Sequence, residues 1–440
     1  MISKPASYPN ITSAESGFIF LLLATLSGAL CPLLYDFTGG NVTGYEDSNP
    51  YRFLLLLALY SGSFALSLYR YPSSKWVVLS SPLLFITFLL PIFSTLWSVD
   101  PLTTLKRAFA YALTGVCCFY LCSTLSFENL IKRLVLLFFV GAVMSVAYSL
   151  GVPSYGVHHG PPIDGAWKGV YGHKNELGRA CTFGIIIASL YKPDNLRMNA
   201  VRLATIFLSL LLVYLSQSKT NWLAIGAWLG FLPVLWFLRF QKVPKSIRLV
   251  IVILPAGLLI FLISQYSDLL LESVGRDSTM SGRTTLWRGV TAVTNDKFPL
   301  LGAGYGAFFT DNGGLAAIGD YIRYWSIRPN HAHNGYLNVF ADLGWIGEIA
   351  LVALILGAIY RTFYFLTEGK QVAQWTTAAS FILMFLITNY SQSLSFKHSD
   401  LTWLMFCIVY LYGAVESRQN RSFTVRGVPL IANRRTALLS

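Results

Sequence analysis

Charge is what this chain has least of. Only 53 of its 440 residues are Asp, Glu, Lys or Arg, or 12%, about half of the roughly 25% found in an ordinary soluble domain. Hydrophobic residues make up 54%, and the pairing excludes a soluble globular enzyme. Cysteine is equally sparse. The six, Cys31, Cys117, Cys118, Cys122, Cys181 and Cys407, all fall inside apolar runs rather than loops, which excludes a disulfide framework and a CxxC metal knuckle. They read as small core hydrophobes. No repeat recurs at a 20 to 50 residue period and no low-complexity tract interrupts the chain, so solenoids and linkers drop out.

What the chain does have is mostly apolar runs long enough for a bilayer, which takes about 20 residues per helix. Twelve come near that length, at 18–35, 53–69, 76–97, 108–125, 130–150, 176–191, 201–216, 220–238, 249–265, 336–360, 374–391 and 400–415. The expected fold is therefore an all-α integral membrane protein of about twelve transmembrane helices. The first run has only Lys4 and Glu15 before it and no small-x-small cleavage pattern after it, and is expected to be a retained span rather than a signal peptide. The formal charge of +13 has to be sorted by side before it means anything. With loops assigned alternately, the set containing both termini holds 19 bases and five acids, and the other set holds 14 bases and 15 acids. The first set is expected inside, so the surplus reflects membrane orientation and attraction to anionic membrane lipids, not nucleic acid.

The implied organisation is helices 1–9 in residues 1–265, a large outer loop in 266–335 between spans nine and ten, helices 10–12 in 336–415, and a basic cytoplasmic tail in 416–440. A second long outer segment spans 151–175. Long connections in compact proteins are usually functional. Within the large loop, 283–294 has helical spacing, and Pro299 with the glycines of 302–306 stops it.

Ionisable groups at membrane depth point to function. On the outer side Arg107, Lys168, Lys174, Arg179, Lys219, Arg276, Arg283, Arg288, Arg323, Arg328 and Lys397 run against the positive-inside bias. Any one of them can be explained by snorkelling to the headgroups; as a set they suit a diphosphate on a lipid carrier. Lys219 stands out in the tight turn SQSKTN between two apolar spans. In HAHNGYLNVFADLGWIG, 331–347, His333 and Asn334 precede a helix whose N-terminal end favours an anion. His333 there is either a general base or, with His331, a polar helix cap. The HxH pair lacks a further ligand at metal spacing, so no metal and no cofactor are expected. In GVYGHKNELGR, 169–179, His173, Lys174 and Asn175 supply a switchable group, a cation and an amide, or simply begin a helix. GAGYG, 302–306, is a turn or an anion nest; without a βαβ context it is not a dinucleotide fingerprint.

His333-Asn334 with Gly344 and Gly347 behind it resembles the signature of the bacterial O-antigen ligase and polymerase superfamily. SGRTTLW at 281–287, PLLGAGYGAF at 299–308, the SKT turn at 218–220, WSVDPLTTLKRA at 97–108 and GHKNELG extend the similarity in the same order. The resemblance implies a multi-span inner-membrane protein whose large loop is periplasmic. It also implies metal-independent, inverting sugar transfer from an undecaprenyl diphosphate-linked glycan. By the same resemblance His333 activates the acceptor hydroxyl; the residues read by themselves offer Glu176, Asp320 and Glu348 as reserves for that base. Arg107, His173, Lys174, Asn175, Lys219, Arg283, Arg288 and Asn334 would hold diphosphate and glycan. The SKT turn and GHKN are more similar to exopolysaccharide and O-antigen polymerases than to ligases. A chain-length regulator protein is a further expected partner; a lipid-linked glycan transporter remains the rival class.

Overall fold

A computed structural model describes residues 8–30, 32, 50–160, 163–239, 243–244, 246–248, 250, 283–322 and 328–425. The expected ninth span, Arg276, Arg323, residues 266–282 of the large loop and residues 426–440 of the tail lie outside the described residues. The described part is helical, with a single isolated antiparallel bridge, Val157 to Trp167. Helices α1 (Ser13–Ser27), α2 (Pro50–Tyr69), α3 (Tyr71–Ser80), α4 (Pro82–Phe93), α5 (Pro101–Thr124), α6 (Phe127–Gly151), α7 (Lys174–Leu190), α8 (Leu196–Leu215) and α9 (Lys219–Leu238) precede the large loop. Helix α10 (Arg283–Lys297) lies within it, and α11 (Gly335–Thr367), α12 (Val372–Ser391) and α13 (Leu401–Val425) follow.

Among the described residues seven helices, α2, α5, α6, α8, α9, α11 and α12, are long and apolar enough to cross a membrane, and an eighth if α3 and the helical run to Leu96 form one bent span. Eleven of the twelve expected runs thus coincide with described helices, although α1 and α7, at 15 and 17 residues, fall short of the usual spanning length. The third run is not straight as expected. It bends by 89° at Ser81, which leaves the helical region ahead of Pro82 (φ −142°, ψ 77°); Ser81 then caps α4 by accepting the Leu84 N–H. Helix starts elsewhere follow local chemistry: Asp100 accepts from the Thr103 N–H ahead of Pro101, Ser126 from Asn129, and Asn195 from Met198.

Helix α5 packs on α2, α4 and α13, while α7 sits among α6, α8 and α12. Aromatic rings fill the space where α5, α12 and α13 meet the loops: Tyr111 lies against Phe88, Tyr305 and Phe396, and Trp403 against Phe385, Phe396 and Phe406. All five described cysteines are buried and free, as small core residues should be. Toward the start of α1, the buried Glu15 carboxylate takes both arms of Arg70 and the Tyr120 hydroxyl. One buried charge is thereby given three hydrogen bonds from two partners.

The tenth run is not continuous either. Gly344 interrupts α11 with φ 61°, ψ −158°, a conformation essentially confined to glycine. The break exposes backbone groups on both sides of it, and residues 299–304 occupy them. Ala303 and Gly304 N–H donate to the Ala341 and Asp342 carbonyls at 3.0 Å each, and Trp345 and Ile346 N–H donate to Pro299 and Leu300 at 2.9 and 3.2 Å. The approach is close enough that a Cβ on Gly302 would run into the Asp342 and Leu343 backbone. On its other side the same strip takes the Trp97 indole N–H on Leu301 O (2.9 Å). It also takes Val99 N–H on Ala303 O (2.9 Å). WSVD, GAGYG and ADLGW are therefore three layers of one backbone lock.

Candidate functional site

The lock sets the floor on which the site residues stand. Asp342, buried, accepts from Phe308 N–H and from Asn338 Nδ2 (3.4 and 3.1 Å). Arg107 faces it and donates through Nη1 to Gly306 O at 2.5 Å. Arg107 is thus built into the loop's docking, and the N–H groups of Ala303, Gly304 and Tyr305 are all taken, the last by Ser94 Oγ at 3.1 Å. GAGYG forms turns with Gly302, Gly304 and Gly306 at positive φ, and these three N–H groups are not an anion nest.

Ahead of α11, Asn334 rather than either histidine caps the helix: its Oδ1 accepts the Tyr336 and Leu337 N–H at 3.0 and 3.2 Å. His333 is released from that duty. It sits at φ 51°, a left-handed conformation uncommon outside glycine, with its N–H donated to His331 Nδ1 (3.0 Å) and its ring 4.1 Å from the His331 ring. Burial first, then the charges of His331, Arg283 and His173, push the His333 imidazole down to about 2. The ring is neutral at any physiological pH.

The HKN segment arrives beside it. His173 caps α7 through Nδ1, accepting the Asn175 N–H (3.2 Å), so that its proton is on Nε2. His158 Nε2 accepts the Lys174 N–H (3.1 Å), and the two rings stand 5.0 Å apart. Burial, then His173, Lys168, Lys174 and His159, push His158 down to about 3. His173 is lowered by burial and by Lys174, Arg283 and Lys168, against the opposing pull of Glu176. The SKT turn docks on this segment: Ser218 Oγ donates to Asn175 Oδ1 (3.0 Å) and accepts from Asn221 Nδ2 (2.8 Å). Lys219, exposed at the first position of α9, repels Lys174 at the first position of α7. Arg283 begins α10, donates through Nη1 to Ser391 O (3.2 Å), and bears on both His173 and His333.

The structure therefore gathers His333, His331, Arg283 and His173, with Lys168, Lys174 and Lys219 around them, into one strongly cationic region built from four separate stretches of chain. It does not place every candidate there. Asn334 and Asn175 spend their oxygens on capping and on Ser218, and Arg288 is on the exposed side of α10. Asp320 is exposed in the turn Gly319–Ile322, while Glu348 lies four residues beyond the helix break. Arg179 instead pairs with Asp400 (3.2 Å) and Gln392 (2.8 Å). Among the described residues no three His, Cys, Asp or Glu side chains come together as a metal set. Sequence reading missed His158 as a partner of the HKN segment and Trp287, whose indole N–H donates to Ala332 O at 2.8 Å.

Comparison with known proteins bears on the same region. Residues 204–352 match the family model described as O-antigen ligase, a stretch that contains Lys219, Arg283, His333 and both halves of the Gly302–Gly344 contact. These matches support a place in the O-antigen ligase and polymerase superfamily. A curated relative, the exopolysaccharide production protein ExoQ of Rhizobium meliloti (strain 1021), is 26% identical over 280 residues. That match covers 60% of this chain and 61% of the relative, so the chain spans about three fifths of the relative's length. Of the six motifs that carry the resemblance, the SKT turn, SGRTTLW, PLLGAGYGAF and the segment from His333 to Gly347 fall within the matched residues.

Proposed function

We propose that the chain is a polysaccharide polymerase that transfers a glycan from an undecaprenyl diphosphate carrier to a sugar hydroxyl of another lipid-linked repeat unit, at the periplasmic face of the inner membrane. The observation that carries the reading is the half-buried His333 imidazole, relieved of helix capping by Asn334, in a region that also holds Arg283, His173 and three lysines. A leaving diphosphate gains charge as the bond from C1 to its oxygen breaks, and preorganised cations in a water-poor site stabilise that charge most. The incoming hydroxyl oxygen bonds to C1 from the opposite side, its proton passes to the His333 imidazole, and the bonding pair leaves with the diphosphate. One displacement inverts the anomeric carbon and needs one base, not the paired carboxylates of a retaining hydrolase.

The depressed value of His333 also has a chemical consequence. Burial weakens the imidazole most and the nearby Arg283 weakens it further, and the donor's diphosphate would offset the second of these. The base then gains strength only with the donor in place. The likeness to ExoQ supports an exopolysaccharide product over an O-antigen, and the ligase reading, transfer of finished polymer to lipid A core, is the second one, favoured by the name of the family model over 204–352. Deletion of the gene separates the two: single capped repeat units favour a polymerase, whereas full polymer stranded on its lipid carrier favours a ligase. Turnover of lipid-linked repeats by the purified, reconstituted chain excludes a transporter, and its absence would overturn the enzymatic reading.

A further inference from the structure

The segment that carries His333 has no regular structure of its own, yet its backbone is held on every side. The peptide groups around Ala332, fully buried, are fixed by side chains from two different helices. Trp287 of α10 donates its indole N–H to Ala332 O (2.8 Å), and Asn338 of α11 accepts the Ala332 N–H through Oδ1 (3.0 Å). One residue on, His331 Nδ1 takes the His333 N–H. Asn338 is itself oriented by its Nδ2 bond to Asp342, and the Trp287 ring rests edge-on against Tyr390 of α12 at 5.4 Å. A left-handed non-glycine residue persists only where its surroundings over-determine it, and these are the contacts that do so.

Trp287 has a second relation that makes it more than a prop. It lies four residues after Arg283 on α10, so the two share a helix face. The same rigid element therefore carries the guanidinium and grips the backbone next to the imidazole. We infer that Trp287, with Asn338 opposite it, is a positioning residue that fixes the His333 imidazole relative to the Arg283 guanidinium, and that it acts on the chemical step through His333 without touching substrate. The inference rests on the reading of His333 as the base.

Trp287→Phe keeps an aromatic ring for Tyr390 but removes the N–H together with the pyrrole part of the indole; Asn338→Leu removes the other hold from a different helix. Misplacing a reacting group by about 1 Å lowers rate by up to roughly a hundredfold, so each variant should lower kcat by about ten- to a hundredfold. Both should leave the Kd for undecaprenyl diphosphate within about twofold of wild type, because the cations stay in place. Full-length reconstituted protein would be assayed on lipid-linked oligosaccharide extracted from a strain lacking the gene, with His333→Asn alongside and the melting temperature of each variant measured. If both variants turn over like wild type while His333→Asn is dead, the positioning role is wrong and the base reading stands. Equal losses in kcat and in undecaprenyl diphosphate affinity, or a melting temperature that falls in step with activity, would reduce Trp287 to a structural residue. Full activity in His333→Asn removes the base reading and this inference together.

Discussion

Gly344→Ala tests the backbone lock directly. A Cβ at that position would meet Leu300 and stand 2.6 Å from Leu301 N, and φ of 61° with ψ of −158° is closed to alanine. Backbone strain of that kind costs about 1–3 kcal/mol, and overpacking adds about 1–3 kcal/mol more if nothing moves. The alternative is withdrawal of residues 299–304, which gives up the four bonds from Ala303, Gly304, Trp345 and Ile346, each worth about 0.5–1.5 kcal/mol net. Either route puts the loss at about 2 to 6 kcal/mol. Withdrawal also frees Arg107 from Gly306 and the segment that leads from Asp342 back to His333. Amide hydrogen exchange of the detergent-solubilised protein reports the outcome by position: peptides covering 299–304 and 341–346 should lose protection, while α8 and α9 should keep theirs. Gly226→Ala, where an added Cβ meets nothing within 4 Å, serves as the control and should be neutral. Wild-type protection and wild-type activity in Gly344→Ala would refute the lock.

Other expectations follow from the same contacts. His333→Asn should abolish polymer formation by reconstituted protein and His331→Asn should reduce it less, since His331 acts on the His333 backbone; EDTA should leave the wild type unchanged, and chelator-sensitive turnover would bring back a metal. Arg283→Ala and Lys219→Ala should each cut turnover at least about tenfold, from the roughly 1.5–3 kcal/mol of a hydrogen bond to a charged partner, with Lys219→Arg milder than Lys219→Ala at matched expression. Because His333 is held at about 2, kcat/KM should show no acid limb near pH 6.5 and stay level down to about pH 5; a limb at 6.5 would mean an imidazole in an ordinary environment. His158 and His333 are neutral in the fold but take up protons when unfolded below about 6.5, so stability should fall as pH drops from about 6.5 toward 3, by up to about 1.4 kcal/mol per pH unit for each. His158→Asn should flatten that slope in thermal melts. Reporter fusions at Asp296 and Arg426 should read periplasmic and cytoplasmic respectively; cytoplasmic activity at Asp296 would remove the site from the carrier's face.

The membrane class, the place of most helices and α10 were legible in residue order because a bilayer selects on length and apolarity, which are local properties. The motifs were legible as well, since glycine, histidine and paired basic residues are conspicuous in a chain with 12% charge. Why those motifs exist was not. GAGYG looked like a turn or a nest, and only the fold shows that its glycines are required by the carbonyls of Ala341 and Asp342 across a broken helix. The break itself is invisible in the run 336–360, because one glycine in an apolar stretch gives no sign that another strip of backbone will press against it.

Sequence alone determined that this protein is built for a bilayer and which superfamily its motifs resemble. The tertiary structure decided which of its bases meet and what each is free to do. Trp97 and Leu301 are 204 residues apart, and Arg107 and Gly306 are 199; no local pattern encodes contacts at that separation. Asn334 and His333 are neighbours, yet one caps a helix and the other is held clear of it. Burial, His331, Arg283 and His173 together push the His333 imidazole down, and Arg283 and His173 come from stretches of chain remote from it, so the depression arises only once the chain has closed around the ring.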